Sequence, residues 1–353
     1  MSTTQSFGDV TVPPGERRRF HHPVGETYNG DAVEIPVSVV NGAHAGPTVC
    51  LTAALHGDEL NGVKVLQQVA SRYDPATLHG TLVCLHVCNV PGYQAQQRDI
   101  PIYDQDLNRS FPGSTAGTTA SRMASAIYEP FVADADYLLD FHTSTRNRTT
   151  MYHTRADMSD TGVARLARAF GANVILDGPG EAASLRAVAT TNGTPAVTVE
   201  MGKAHRFQPA LIRKAIGGVE SVLAQFELRP GEPIGWPGWY RVIDTAEEKT
   251  WLRADTGGLV DMTWGPQPVV HEGDLICTVT DHFETRTERV TAPFDGLIVG
   301  LLENPVALPG HPLCHLVRID TETLAEIETE IQRGEFDGTS LLGVRWIESA
   351  DHE

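Results

Sequence analysis

Lysine is scarce in this chain. Only four of the 27 basic residues are lysines, against 45 acidic residues, and the formal net charge is −18. Nucleic acid demands a basic footprint, so that class of partner is argued against at once. An anionic membrane surface is disfavoured by the same charge. Long apolar runs are missing too, since no stretch approaches the roughly 18 residues of a membrane helix. The opening "MSTTQSFGDVTVPPGERRRF" holds no apolar core for export, so the expected location is cytoplasmic. Cysteines are few and odd in number: Cys50, Cys84, Cys88, Cys277 and Cys314. They sit in apolar runs without a CxxC spacing, which predicts buried reduced thiols rather than a cysteine zinc site.

What is present is ordinary for a globular protein. Of 353 residues, 41% are hydrophobic and 20% charged, enough for a sizeable core and two domains. Residues 1–47 hold short alternating segments such as "DAVEIPVSVV", the pattern of half-buried strands, and "NGAHAGP" reads as a turn. From Thr48 the texture changes. "TVCLTAAL" reads as a buried strand, followed by a helical pattern over Gly62–Val69. "TLVCLHVCNV" (Thr81–Val90) and "ADYLLDFHTS" read as further buried strands, with a helix over Thr118–Val132 between them. "TGVARLARAFGA" gives a helix, "NVILDG" and "TPAVTVEMG" give strands, and "PALIRKAIGGVESVLAQF" gives an amphipathic helix. Strands alternating with helices predict an α/β fold, with a mixed, largely parallel sheet flanked by helices.

A boundary falls in "RPGEPIGWPGW" (Arg229–Trp239), dense in proline and glycine. Beyond it, "TGGLVDM" with "VVHEGDLICTV" resembles "FDGLIVG" with "VALPGHPLCHLV". This weak repeat predicts a smaller C-terminal β-sandwich of two related hairpin halves, similar to biotinyl/lipoyl carrier domains. The lysine that such carriers modify is missing, because no lysine follows Lys249. A structural or lid role therefore fits better. The predicted organisation is a β-extension packed on the catalytic domain (1–47), the catalytic domain (48–232), a β-sandwich (233–320), and an acidic helix and tail (321–353).

Chemistry-bearing side chains gather at strand ends, where open α/β sheets bind ligands. "LHGDEL" delivers His56 and Glu59 to such an end. Imidazole and carboxylate suit zinc, and this spacing converges on one ion if the turn opens a helix. An N-capping acid beside an incidental histidine is the alternative. "LLDFHTSTRNR" brings His142 to another strand end, the third ligand a catalytic zinc needs; a structural histidine is its alternative. Asp140, on the same strand face, and Asp58 are candidate partners for a ligand's second ring nitrogen. The loop "QQRDIPIYDQDLNRSFPG" carries Arg98, Asn108 and Arg109, groups that recognise carboxylates unless the loop is merely solvated. A net-acidic protein needs such local arginines to hold an anion. "TPAVTVEMGK" ends a buried run in Glu200, fit to be a general base and then acid beside a metal-bound water, or simply salt-bridged. His21, His22, His205, His271, His282, His311 and His315 are expected in loops or the β-domain, satisfied or solvated.

In order and spacing, His56-x-x-Glu59, Asp106-Leu107-Asn108-Arg109, Asp140-Phe141-His142 and Val199-Glu200 resemble the succinylglutamate desuccinylase/aspartoacylase family of the zinc carboxypeptidase superfamily. The resemblance covers about residues 48–228. It implies a zinc carboxypeptidase-like fold and one zinc per subunit, held by His56, Glu59 and His142. Glu200 would activate water, Arg98 would stabilise the oxyanion, and Asn108 and Arg109 would hold a substrate carboxylate. Arg146 matches an arginine of some desuccinylases. A homodimer or tetramer acting on a small N-acyl amino acid is also implied.

The expected function is a zinc-dependent amidohydrolase that removes an acyl group from an N-acyl amino acid or related small amide. A metallocarboxypeptidase acting on short peptides would use the same chemistry, but the C-terminal β-domain can narrow the cleft against long peptides. A non-catalytic protein keeping the fold would have lost a ligand or Glu200, and neither is lost.

Overall fold

A computed structural model describes residues 2–101, 103–145, 147–233, 241–244, 249–262 and 268–333. A short ribbon, β1 (Gln5–Phe7) with β2 (Val10–Val12), precedes the long strands β3 (Glu16–Glu26) and β4 (Ala32–Asn41). Next come β5 (His44–Ala53), α1 (Asn61–Arg72), β6 (His79–Leu85), α2 (Val90–Ala95) and α3 (Thr119–Phe131). They are followed by β7 (Tyr137–Ser144), β8 (Arg148–Ala156), α4 (Thr161–Phe170), β9 (Val174–Asp177), α5 (Leu185–Thr191), β10 (Ala196–Lys203) and α6 (Pro209–Gln225). The remaining strands are β11 (Arg241–Asp244), β12 (Lys249–Arg253), β13 (Gly258–Met262), β14 (Val269–Val270), β15 (Leu275–Thr280), β16 (Thr287–Thr291), β17 (Gly296–Leu302), β18 (Val306–Ala307) and β19 (Pro312–Arg318), before α7 (Thr321–Gln332).

The fold is mixed α/β. At the middle of its large sheet, β6, β5, β7 and β10 run parallel. These strands are apolar on both sides because both faces are covered, as parallel sheets require. One face packs Leu51, Phe141, Tyr152 and Val199 against α1, α4 and α6; the other packs Cys50, Val83 and Leu138 against α3 and α5. The stripe Val65, Leu66, Val69 and Ala70 explains why α1 docks where it does. Parallel alignment also brings the carboxyl ends of β5, β7 and β10 to one edge, which is where the site forms.

The repeat in the C-terminal segment corresponds to a pseudo-twofold exchange. β13 pairs with β15, and β17 with β19. The short strands cross over, β14 to β17 and β18 to β13. β17 also pairs with β8, so three C-terminal strands extend the large sheet beyond β8 in the order β17, β19, β12.

Some expectations differ in detail. The strand predicted to run to Val90 stops at Leu85, because Cys88 and Asn89 turn their N–H groups to the carbonyls of Ala53 and Ala54. β5 starts at His44, inside the predicted turn, and β4 and β3 continue the same sheet beyond β6, with β3 at its edge. His21 and His22 lie in β3, not a loop. Of the boundary Arg229–Trp239, residues after 233 lie outside the described residues, as does the tail after 333. Among the described residues no helix is long and apolar enough to cross a membrane.

Candidate metal centre and active-site cleft

After β5 the backbone turns sharply. Ala54 takes φ of 51°, uncommon without glycine. Glu59 N–H then bonds the carbonyl of His56 at 3.1 Å, closing a tight turn before α1 begins at Asn61. The pair therefore converges through a turn ahead of the helix, not through its first turn. The helix is capped at Leu60 with no side-chain hydrogen bond, so neither Asp58 nor Glu59 is a capping acid. Gly57 N–H bonds Arg98 O at 3.1 Å, and a Cβ here would collide with the backbone of Gly92, so only glycine fits between His56 and Asp58.

Three side chains meet on this edge, all buried. His56 Nδ1 lies 2.8 Å from Glu59 Oε1, His142 Nδ1 lies 3.0 Å from Glu59 Oε2, and the two Nδ1 atoms are 3.1 Å apart. Thr143 N–H donates to Glu59 Oε2 at 2.8 Å and orients that carboxylate. His142 Nε2 lies 2.8 Å from Asp140 Oδ2, whose other oxygen accepts from Thr52 Oγ1 at 2.7 Å. A carboxylate can only accept, so Nε2 donates to Asp140, and Nδ1 is the ring nitrogen turned toward His56 and Glu59. His56 Nε2 approaches Asp106 Oδ1 to 3.3 Å without completing a hydrogen bond.

This donor set fits a cation. Ligands on a tetrahedral zinc with bonds of about 2.0–2.1 Å stand about 3.3 Å apart, and the observed separations are only slightly tighter. Two inward-facing imidazole nitrogens and a carboxylate in a buried spot are the donor set such an ion needs. His56, Glu59 and His142 thus form a possible metal site.

The titration directions record the same crowding. Burial alone would lower His142, yet Asp140 and Glu59 carry it well above the ordinary histidine value. His56 is raised likewise, burial being outweighed by Glu59 and Asp106. Burial would raise Glu59, but the two histidines hold it far below the usual carboxylate range. Asp106 is also low: burial is outweighed by His56 and Arg98.

The site opens into a cleft of about 860 Å³. Arg98 and Asn108 reach it, and so does the exposed Arg109. Arg98 Nη2 bonds Asp106 Oδ2 at 3.0 Å, and its Nη1 lies 3.5 Å from Glu59 Oε1. Asn108 Oδ1 accepts from Leu185 N–H at 2.8 Å, so its NH2 is the end left to donate. Glu200 lines the cleft and pairs with Arg155 Nε at 3.3 Å. Arg146 lies outside the described residues.

Several cleft residues escaped sequence reasoning. Arg155 and Arg186 line it; burial, with Arg155 second, pulls Arg186 down to about 10. Lys249, Trp251 and His315 come from β12 and β19. His315 was expected to be satisfied or solvated in the β-domain. It is buried, stacked on Trp251 at 4.6 Å, and faces the cleft. Only the strand pairing of β12, β19 and β17 onto β8 brings these residues in, and no local motif signals it.

Comparison with known proteins supports a hydrolase. Residues 45–226 match the Succinylglutamate desuccinylase/Aspartoacylase catalytic domain, and the chain belongs to that family. A curated relative, the N-alpha-acetyl-L-2,4-diaminobutyric acid deacetylase of Halomonas elongata, is 28% identical over 259 residues, 71% of this chain and 75% of its own. A succinylglutamate desuccinylase/aspartoacylase structure from Rhodobacter sphaeroides aligns with TM-score 0.78 and 22% identity, covering 88% of this chain and 98% of that one. The product-bound Ectoine utilization protein EutE (DoeB) from Ruegeria pomeroyi aligns with TM-score 0.77 and 22% identity, covering 90% and 99%.

Proposed function

We propose that this protein is a zinc-dependent deacylase that hydrolyses the amide bond of an N-acyl amino acid or a related small carboxylate-bearing amide. The observation that carries this reading is the convergence of His56 Nδ1, Glu59 and His142 Nδ1 at the edge of a cleft, with Glu200 one strand away. Zinc held by these three residues would supply Lewis acidity and a bound water with a pKa of about 7. Glu200 takes the proton from the attacking water and passes it to the departing amine nitrogen. Arg98, steadied by Asp106, donates to the carbonyl oxygen as negative charge builds there. Asn108 donates its NH2 to the substrate carboxylate, and Arg109 pairs with the same group. Arg146, four residues after His142 in the sequence, joins the proposed substrate contacts on the sequence pattern alone. The strands carrying Lys249, Trp251 and His315 form the far wall and limit the length of what enters.

The name of the Halomonas relative supports an N-acetyl amino acid as the first substrate class to try. The test is a panel of N-acetyl and N-succinyl amino acids, dipeptides and longer peptides, assayed with zinc and again with chelator. Amine release from the N-acyl amino acids, abolished by chelator, is expected. Hydrolysis confined to peptides would overturn the reading in favour of a carboxypeptidase.

A further inference from the structure

The second acid of the motif, Asp58, is neither a metal ligand nor a helix cap. It does not touch a ligand's ring nitrogen either: Asp140 serves His142, and Asp106 lies beside His56. Yet it is only 3% exposed, a costly place for a carboxylate without a structural return. Oδ1 has no hydrogen-bond partner among the described residues, but Oδ2 and the backbone carbonyl are both engaged. Oδ2 accepts a short hydrogen bond from Thr145 Oγ1, just past the end of β7. Its backbone carbonyl accepts from His205 N–H, just past β10, and His205 Nε2 lies 3.8 Å from Oδ2. Ala204 N–H in turn bonds the carbonyl of Ser144, so the ends of β7 and β10 are already fastened to each other.

The geometry points to Asp58 as a positioning residue of the metal centre, clamping the turn that carries His56 and Glu59 to the strand ends that carry His142 and Glu200. The four functional side chains come from three separate strand ends. The sheet ladder fixes β7 against β10, but the 56–59 turn has left the ladder after Ala53. Its relation to His142 therefore depends on cross-loop bonds. One is Thr143 N–H to Glu59, made by a ligand itself. The Asp58–Thr145 bond is independent of any ligand, so it can hold the turn in place before an ion arrives. Preorganisation of this kind reduces the ordering that binding must impose.

This inference rests on the metal-site reading, and the test separates the two. Zinc affinity is measured by chelator competition on the full chain, with Tm and far-UV circular dichroism as controls for folding. Asp58→Ala and Thr145→Val are each expected to weaken zinc by about tenfold or more, a loss of the size seen when groups supporting a ligand are removed. The double variant should be no weaker than either single variant, because one bond is lost in all three. Asp58→Asn and Thr145→Ser keep the acceptor and the donor and should bind nearly as the unaltered protein does. If Asp58→Ala does not fold, Thr145→Val carries the test. The clamp is overturned if the unaltered protein binds zinc and the folded Asp58→Ala or Thr145→Val binds equally well. It is also overturned if the two losses add, or if Asp58→Asn is as impaired as Asp58→Ala. If the unaltered protein binds no zinc, the metal reading itself fails, and the clamp with it.

Discussion

His142 on β7 and Glu200 on β10 are register partners across a parallel strand pair. Partners at one level of a sheet project from the same face, so the proposed metal ligand and the proposed base stand side by side at a spacing set by the hydrogen-bond ladder. The row beneath them reads Thr52, Asp140, Thr198, Arg155 across four strands, and it holds the carboxylate that orients His142. The relation between Glu200 and His142 is therefore set by the sheet itself.

Glu200 is not among the three residues of the possible metal site, and its proposed role is that of a base. Glu200→Gln should lower kcat by about 10²–10⁴-fold, the usual weight of a general base. Its metal content should match that of the unaltered protein. Parallel kinetics and metal analysis check both.

Asp140 acts through His142. Asp140→Ala frees Nε2, and the imidazole then loses its fixed tautomer and orientation. Zinc affinity should fall by about 10–100-fold, measured by chelator competition. Activity should recover at saturating zinc.

Much of this was legible in the sequence. Three motifs at the ends of apolar runs pointed to residues that the structure brings to one edge, as parallel strands must, and the polar-loop motif reaches the same cleft. The helices over Thr118–Val132 and from Pro209 lie where their periodicity put them. The rest needed tertiary pairing. Nothing local in "RTTMYHTRA" says that Arg155 would face Glu200; that follows from the antiparallel register of β8 on β10. Trp251 and His315 lie far from the motifs in sequence and arrive only because β12, β19 and β17 continue the large sheet past β8. The local geometry of "HGDE" was equally hidden, since a turn and the start of a helix share one spacing.

The far wall predicts a change of specificity. Trp251 is stacked on His315, and Arg148 lies over its ring at 5.2 Å. Trp251→Ala removes the centre of that stack and enlarges the cleft. The ratio of kcat/KM for a hexanoyl over an acetyl substrate should rise by about tenfold, the order of discrimination an apolar contact provides. An unchanged ratio would remove the wall from the account of substrate length.

His315 also predicts an acid-side loss of stability. Burial first, and then Arg155 and Lys249, push it down to about 3 from an ordinary value of 6.5. Above pH 6.5 both folded and unfolded chains leave it uncharged. As pH falls from 6.5 towards 3, the unfolded chain takes up a proton that the folded one refuses, so stability falls by up to about 1.4 kcal/mol per pH unit. His56 and His142 are shifted the opposite way, so the clean measurement is a difference. Denaturant unfolding at pH 7 and pH 5 should show a smaller acid loss in His315→Asn than in the unaltered protein.

The central claim is that His56, Glu59 and His142 hold a catalytic zinc. Metal analysis of the purified protein beside His142→Ala, both checked for folding, tests it most directly. About one zinc per chain in the unaltered protein is predicted, with near-complete loss of both zinc and amidohydrolase activity in the variant. An unchanged zinc content in a folded His142→Ala would contradict the assignment.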